Sequence, residues 1–299
     1  MPRRWAGALS VHHLGRVGVQ IRVVTDSTCD LPEDTRQAAG VVTVPLRLHF
    51  QDEVFRDRVD IDDNEFLRRL VDGRVLPRTS QPPPGDFEAV YRRLLEEGAD
   101  QVISIHLAAA LSGTVSSATV AAQAVDPDRV HVVDSRTVSL GTGFLVLEAV
   151  SRAARGESVE EILSYLESMP SRVGIICLLD TLRFLLLGGR IGKVQAMLGT
   201  ALSIKPLVGA GRDGSVVPLG RVRSRSSGVR RLTELLAEHS PLERCGIIYL
   251  GDPADAEALA EQTRRTYPNV DVLLHTASPV LGTHIGPGTL AYCYLEQGQ

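Results

Sequence analysis

Aromatic residues make up only 4% of this chain, with a single tryptophan, and no stretch carries the interleaved basic and aromatic residues that grip single-stranded nucleic acid. The net charge of −4 and a pI near 6.1 supply no basic field for a phosphate backbone either. Apolar runs such as Gly174-Ile-Ile-Cys-Leu-Leu179 are strand-sized and fall short of the roughly 20 residues that a membrane span needs. Nucleic-acid binding and stable membrane insertion are therefore not expected. There are four cysteines, Cys29, Cys177, Cys245 and Cys293, widely separated and set in or beside apolar segments. No zinc or thioredoxin spacing links them, so they read as reduced core thiols of a cytoplasmic protein. No nucleophile-elbow pentapeptide, His-Glu-x-x-His or metal-ligand cluster is found, which weakens a hydrolase reading and leaves no metal site to expect. Two apparent nucleotide motifs fail on context. Gly209-Ala-Gly-Arg-Asp-Gly214 has the dinucleotide spacing but precedes a β-rich run, which suits a hairpin turn. Gly188-Gly-Arg-Ile-Gly-Lys193 is one residue short of a P-loop and puts Val194 where a magnesium-binding hydroxyl belongs.

What remains is ample core-forming material: 299 residues, 43% hydrophobic and 23% charged, enough for two domains. The first twenty residues are basic, lack acids and hold no signal-peptide core, so residues 1–20 are expected to be a disordered extension. From Ile21 onwards strands alternate with helices, which argues for an α/β domain over 21–155 with a largely parallel sheet flanked by helices. Its pieces are strands at 21–24, 41–44, 46–50, 101–106 and 130–133. Helices are expected at 65–71, 87–97 and 140–155, with 78–86 as a proline-stiffened loop between them. Beyond Gly156 the texture changes to an α+β domain over 156–299, with helices at 158–168, 226–238 and 254–265, strands at 173–178, 246–250 and 270–275, and strand-like pieces at 216–219 and 220–223. The cleft between the two domains is the default ligand site.

Several polar tips bear on chemistry. Strand 101–106 runs into Ser112-Gly113-Thr114 at the start of a helix, where backbone N–H groups carry partial positive charge and the hydroxyls add donors. Both a helix cap and an anion site for a carboxylate or phosphate stay open there. Thr79 and Ser80 in the proline-rich loop form half of a site or a simple turn. His284, framed by glycines and a proline in Gly282-Thr-His-Ile-Gly-Pro-Gly288, reads as a tight-turn histidine that faces a ligand or solvent. Asp26 and Ser27 at the tip of the first strand are a possible cleft contact or a local cap. Arg190 and the alternating Arg221, Arg223 and Arg225 offer a basic patch for phosphate or an acidic partner, or a solvated strand face.

Taken in order, these segments resemble the DegV family from Ile21 almost to the C-terminus. The resemblance rests on Val24-Thr-Asp-Ser-Thr-Cys-Asp-Leu-Pro32, Thr79-Ser-Gln-Pro82 with Pro84-Gly85, Leu111-Ser-Gly-Thr114 with Ser117-Ala118, and Val133-Asp-Ser135. It continues through Gly188-Gly-Arg-Ile191, Ile204-Lys-Pro206, Val222-Arg-Ser-Arg225 and the His284 segment. It implies a two-domain fold that holds one long-chain fatty acid, carboxyl group at the domain junction and acyl chain inside the C-terminal domain. It further implies a non-catalytic, lipid-binding subunit of a bacterial fatty acid kinase serving phospholipid metabolism, whose separate subunit brings ATP and magnesium. Carried over residue by residue, the carboxyl-binding role falls on Thr79, Ser112 and His284, with Ser80, Gly113 and Thr114 as neighbours, and phosphate or partner contact falls on Arg190 and Arg223. A stand-alone enzyme acting on a small anion in the same cleft is the competing expectation.

Overall fold

The computed structural model describes residues 19–73, 76–197 and 204–298. The expected extension thus lies almost wholly outside the described residues. The first half of the chain contains β1 (Ile21–Asp26), α1 (Glu33–Ala38), β2 (Val42–Val44), β3 (Arg47–Phe50), β4 (Glu53–Arg56) and α2 (Asp63–Asp72). It continues with β5 (Arg78–Ser80), α3 (Pro84–Glu96), β6 (Gln101–His106), α4 (Thr114–Val125), β7 (Val130–Asp134) and α5 (Leu140–Ala154). Strands β2-β1-β6-β7 form a fully parallel sheet. Parallel strands are covered on both faces, and Val102 to His106 of β6 is accordingly buried without interruption.

A second, smaller sheet has the order β4-β3-β5 and is antiparallel. Its presence corrects the expected loop at 78–86: Arg78–Ser80 is a strand, with Thr79 directly opposite Leu48 of β3, and only from Gln81 does the prolyl segment run free into α3. Local sequence could not show this, because three polar residues become a strand only through a partner some thirty positions away.

The second half contains α6 (Val159–Ser168), β8 (Val173–Leu178), α7 (Arg183–Leu187), β9 (Lys205–Ala210), β10 (Val216–Val222) and α8 (Arg225–Ala237). It ends with β11 (Leu242–Tyr249), α9 (Ala254–Thr266), β12 (Val272–Thr276), α10 (Pro279–Ile285) and β13 (Leu290–Glu296). Its six strands form one mixed sheet, β10-β9-β8-β13-β11-β12, in which only β11 and β12 run parallel. The Gly209–Gly214 segment is the expected hairpin turn: Gly211 N–H donates to the Ser215 carbonyl, and Gly214 takes φ +78°.

Helix α5 joins the halves. All its residues from Leu140 to Val150 are buried, because it packs against β1 and β6 of the parallel sheet and against β8, β11 and β13 of the mixed one. Two glycines permit that approach. A Cβ on Gly143 would lie 3.0 Å from the Cys29 carbonyl oxygen, and one on Gly246 of β11 would lie 2.3 Å from Leu140 Cδ1. One apolar cluster therefore runs from Val23 and Ile103 through Phe144 and Leu147 to Cys293 and Leu295.

Candidate functional site

Four segments converge where the halves meet. Strand β5 brings Thr79 and Ser80, the turn after β6 brings Ser112, helix α10 brings His284, and the turn after α7 brings Arg190. Thr79 Oγ1 and His284 Nε2 lie 2.8 Å apart, a hydrogen bond that spans the junction. A second link crosses it where Arg190 Nε donates to the Leu111 carbonyl at 3.1 Å, while Arg190 Nη1 donates to the Gly188 carbonyl at 2.7 Å. Arginine's planar fork thereby ties the Ser112 turn to the Gly188 turn.

His284 corrects the expected tight turn. It sits in the last turn of α10, which starts at the Ser278 N-cap with Pro279 in its first turn, and Ser278 Oγ accepts from Leu281 N–H. Gly282 serves packing here, since a Cβ would lie 2.5 Å from Phe66 Cε1. Burial and the neighbouring Arg190 charge push the His284 pKa down to about 4, so its ring is neutral near pH 7.

Ser112, Thr79, Ser80, Gln81, Arg190 and His284 rim a compartment whose remaining lining is apolar. It shares Leu111, Val138, Leu185, Val216, Leu281 and Ile285 with a second compartment walled by Ile175, Cys177, Val208, Ile248, Ala291 and Cys293. Through these shared walls the two form one passage, polar at the junction and oily inside the mixed sheet, a lining typical of small-ligand sites. The thiols take no chemical part: burial pushes Cys293 up to about 12 and Cys177 higher still, and all four cysteines are buried and free.

Other expected site residues divide. Ser80 rims the compartment and bonds His49 Nε2 at 2.8 Å, a neighbour that sequence reasoning missed, as it missed Gln81. Ser112 does not cap α4; its hydroxyl pairs with Thr114 Oγ1 at 2.9 Å, and the N-cap is Gly113 without a side-chain bond. Thr114 is fully buried, and neither it nor Gly113 lines the passage. Gly113 instead leaves room for Gln81, whose Nε2 would be 3.0 Å from an added Cβ. Arg223 is exposed just beyond β10 and lines neither compartment.

Asp26 and Ser27 are not in the passage. Asp26 is fully buried, accepting from Thr28 N–H and Oγ1 with one oxygen and from Leu107 N–H at 3.1 Å with the other, which also faces His106 Nδ1 at 3.1 Å. His106 continues to Ser104 and Tyr91 in a fully buried chain of hydrogen bonds that lines neither compartment, so this Asp, His and Ser set braces the strand ends. Ser27 donates to Asp57 Oδ2 at 2.7 Å. Asp57 and Asp30 are buried, and desolvation raises their pKa values to about 7 and about 6. With Arg58 they hold the entry to α10: Ser278 N–H donates to Asp30 Oδ1 at 2.9 Å, and Arg58 Nη2 donates to the Thr276 carbonyl at 2.8 Å.

The described residues hold no helix long and apolar enough to cross a membrane and no group of side chains arranged to ligate a metal. A family model described as "Uncharacterised protein, DegV family" matches residues 20–297. Protein DegV of Bacillus subtilis is 34% identical over 281 residues, covering 92% of this chain and 99% of that one. Among solved structures, a fatty-acid-binding DegV family protein of Thermus thermophilus is 37% identical with a TM-score of 0.87, covering 93% of this chain and all of its own. A stearic-acid-binding protein of Eubacterium ventriosum is 26% identical with a TM-score of 0.84, covering 92% of this chain and 98% of that one.

Proposed function

The chain belongs to the DegV family, and from that premise we propose that it binds one long-chain fatty acid and presents the carboxyl group to a separate ATP-binding kinase subunit for phosphorylation. The observation that carries this reading is the single passage with a polar end at the junction and an apolar end inside the mixed sheet. The Thermus thermophilus and Eubacterium ventriosum relatives, which bind fatty acids, support it.

Acyl burial supplies the affinity. At roughly 0.8 kcal/mol per methylene, about fourteen CH₂ groups offer on the order of 11 kcal/mol before the costs of association. The head end supplies orientation: Thr79, Ser112 and the neutral His284 are hydrogen-bonding groups without charge, and Arg190 spends two of its donors on backbone carbonyls. A carboxylate held by neutral donors keeps more nucleophilic character than one locked in a bidentate arginine pair. Nucleotide and magnesium would be the partner's, and Arg223, exposed beyond β10, is suited to meet that partner or the transferred phosphate. The cytoplasm is the compartment this role requires.

Mass spectrometry of the denatured protein tests the reading. A long-chain fatty acid should be released, or added palmitate or oleate should bind. Absence of both would sink the proposal, and turnover of a small anion without any partner would favour a stand-alone enzyme.

A further inference from the structure

We propose that Gly188 is a positioning residue: its missing side chain is what lets His284 stand behind Thr79, so that the Thr79 hydroxyl is aimed at the ligand carboxylate. The carboxylate part of this inference rests on the fatty-acid reading above. Gly188 has φ −76° and ψ −7°, a conformation open to any residue, so its backbone does not require glycine. Its neighbour Gly189 does, at φ +71°, and an added Cβ there would meet nothing within 4 Å. At Gly188 the situation is reversed. A Cβ would fall 2.2 Å from His284 Nδ1 and 2.9 Å from Cε1.

The same contact selects the tautomer. His284 Nδ1 is buried and has no hydrogen-bond partner, whereas Nε2 faces Thr79 Oγ1. A buried N–H without an acceptor is rarer and costlier than an unused acceptor, and the nearby Arg190 charge favours a bare lone pair over a proton. The neutral ring therefore carries its proton on Nε2 and donates it to Thr79 Oγ1. That leaves the threonine's own hydrogen to point away from the histidine, into the compartment that Thr79 lines. Gly188 is thus the floor, His284 the orienting group and Thr79 the donor.

The test is a double-mutant cycle in the full chain with Gly188→Ala, His284→Ala and both, read by melting temperature, by oleate titration and by ¹⁵N NMR of the histidines. In the native background Gly188→Ala should lower the melting temperature, disturb the Nε2-protonated signature of His284 and weaken oleate binding about tenfold, the size of one lost hydrogen bond. In the His284→Ala background the ring is gone and only the Phe184 carbonyl oxygen, 3.0 Å from the added Cβ, stays close, so the same substitution should lower the melting temperature far less than in the native chain. Equal destabilisation in both backgrounds, or no effect in the native one, would overturn the proposal. If the native chain binds no oleate yet this relief by His284→Ala is seen, the fatty-acid reading fails while the placement of His284 by Gly188 stands.

Discussion

Replacing Asp57 by asparagine should make this protein more stable above neutral pH and leave it unchanged in acid. The carboxyl is 1% exposed, accepts the Ser27 hydroxyl, and has its pKa raised from 3.8 to about 7, chiefly by desolvation. A group that binds its proton more tightly in the folded state contributes stability that is complete below its unfolded pKa and is lost as pH rises through the folded one. For Asp57 that window runs from 3.8 to about 7. At 1.36 kcal/mol per unit, a shift of about three units corresponds to about 4 kcal/mol at the top of the window. Asp30, raised to about 6 beside it, shares part of this electrostatic load, so a gain of about 2–4 kcal/mol is the working figure. Asparagine has the shape of the protonated acid and still accepts from Ser27, which removes the cost of ionisation and keeps the bond. Urea unfolding of both proteins across the window measures it. The curves should coincide near pH 4 and separate steadily towards about pH 8, with a melting-temperature gap of roughly 5–10 °C there. An equal loss of stability at every pH would refute the reasoning, because it would mean that Asp57 is an ionised partner of Arg58 throughout.

Two further substitutions probe the passage and its surroundings. Thr79→Val keeps the β5 side-chain volume but strips His284 Nε2 of its partner, so stability should fall by about 1–3 kcal/mol and oleate affinity by at least an order of magnitude, with Thr79→Ser restoring most of both in calorimetric titrations. Arg223→Ala, altering an exposed residue outside both compartments, should leave fatty acid affinity unchanged while reducing phosphorylation by an added kinase subunit; equal loss of both would contradict its assignment.

Much of the architecture was legible where local signals agreed. β6 centres on the β-branched Val102, Ile103 and Ile105, α6 opens on a Ser158 and Glu161 capping box, and the hairpin at Gly209–Gly214 combines glycines with flanking β-formers. What stayed hidden depended on distant partners. β4 and β5 exist through pairing with β3, and β13, unassigned in the sequence, becomes the strand between β8 and β11 only in the folded sheet. Within the site, Thr79, Ser80, Ser112, Arg190 and His284 do come together, and Asp26, Ser27, Gly113, Thr114 and Arg223 do not line the passage. The separation has a physical basis. Polar residues at strand tips look alike in sequence whether they face a cavity or brace a turn, and Asp26 spends its oxygens on bracing. The glycine beside His284 misled for a related reason, since Gly282 answers to Phe66 across the core and not to a bend in its own backbone.

Helix α5 also bears on how the molecule comes apart. Eleven consecutive buried residues, Leu140 to Val150, mean that neither sheet can lose this helix and keep a closed core. The halves are then architectural divisions of one cooperative unit, and calorimetry should register a single transition instead of two. A ligand gripped inside the mixed sheet would raise the melting of the parallel sheet by the same amount, so amides in β1 and β6, far from any acyl chain, should gain hydrogen-exchange protection when the passage is filled.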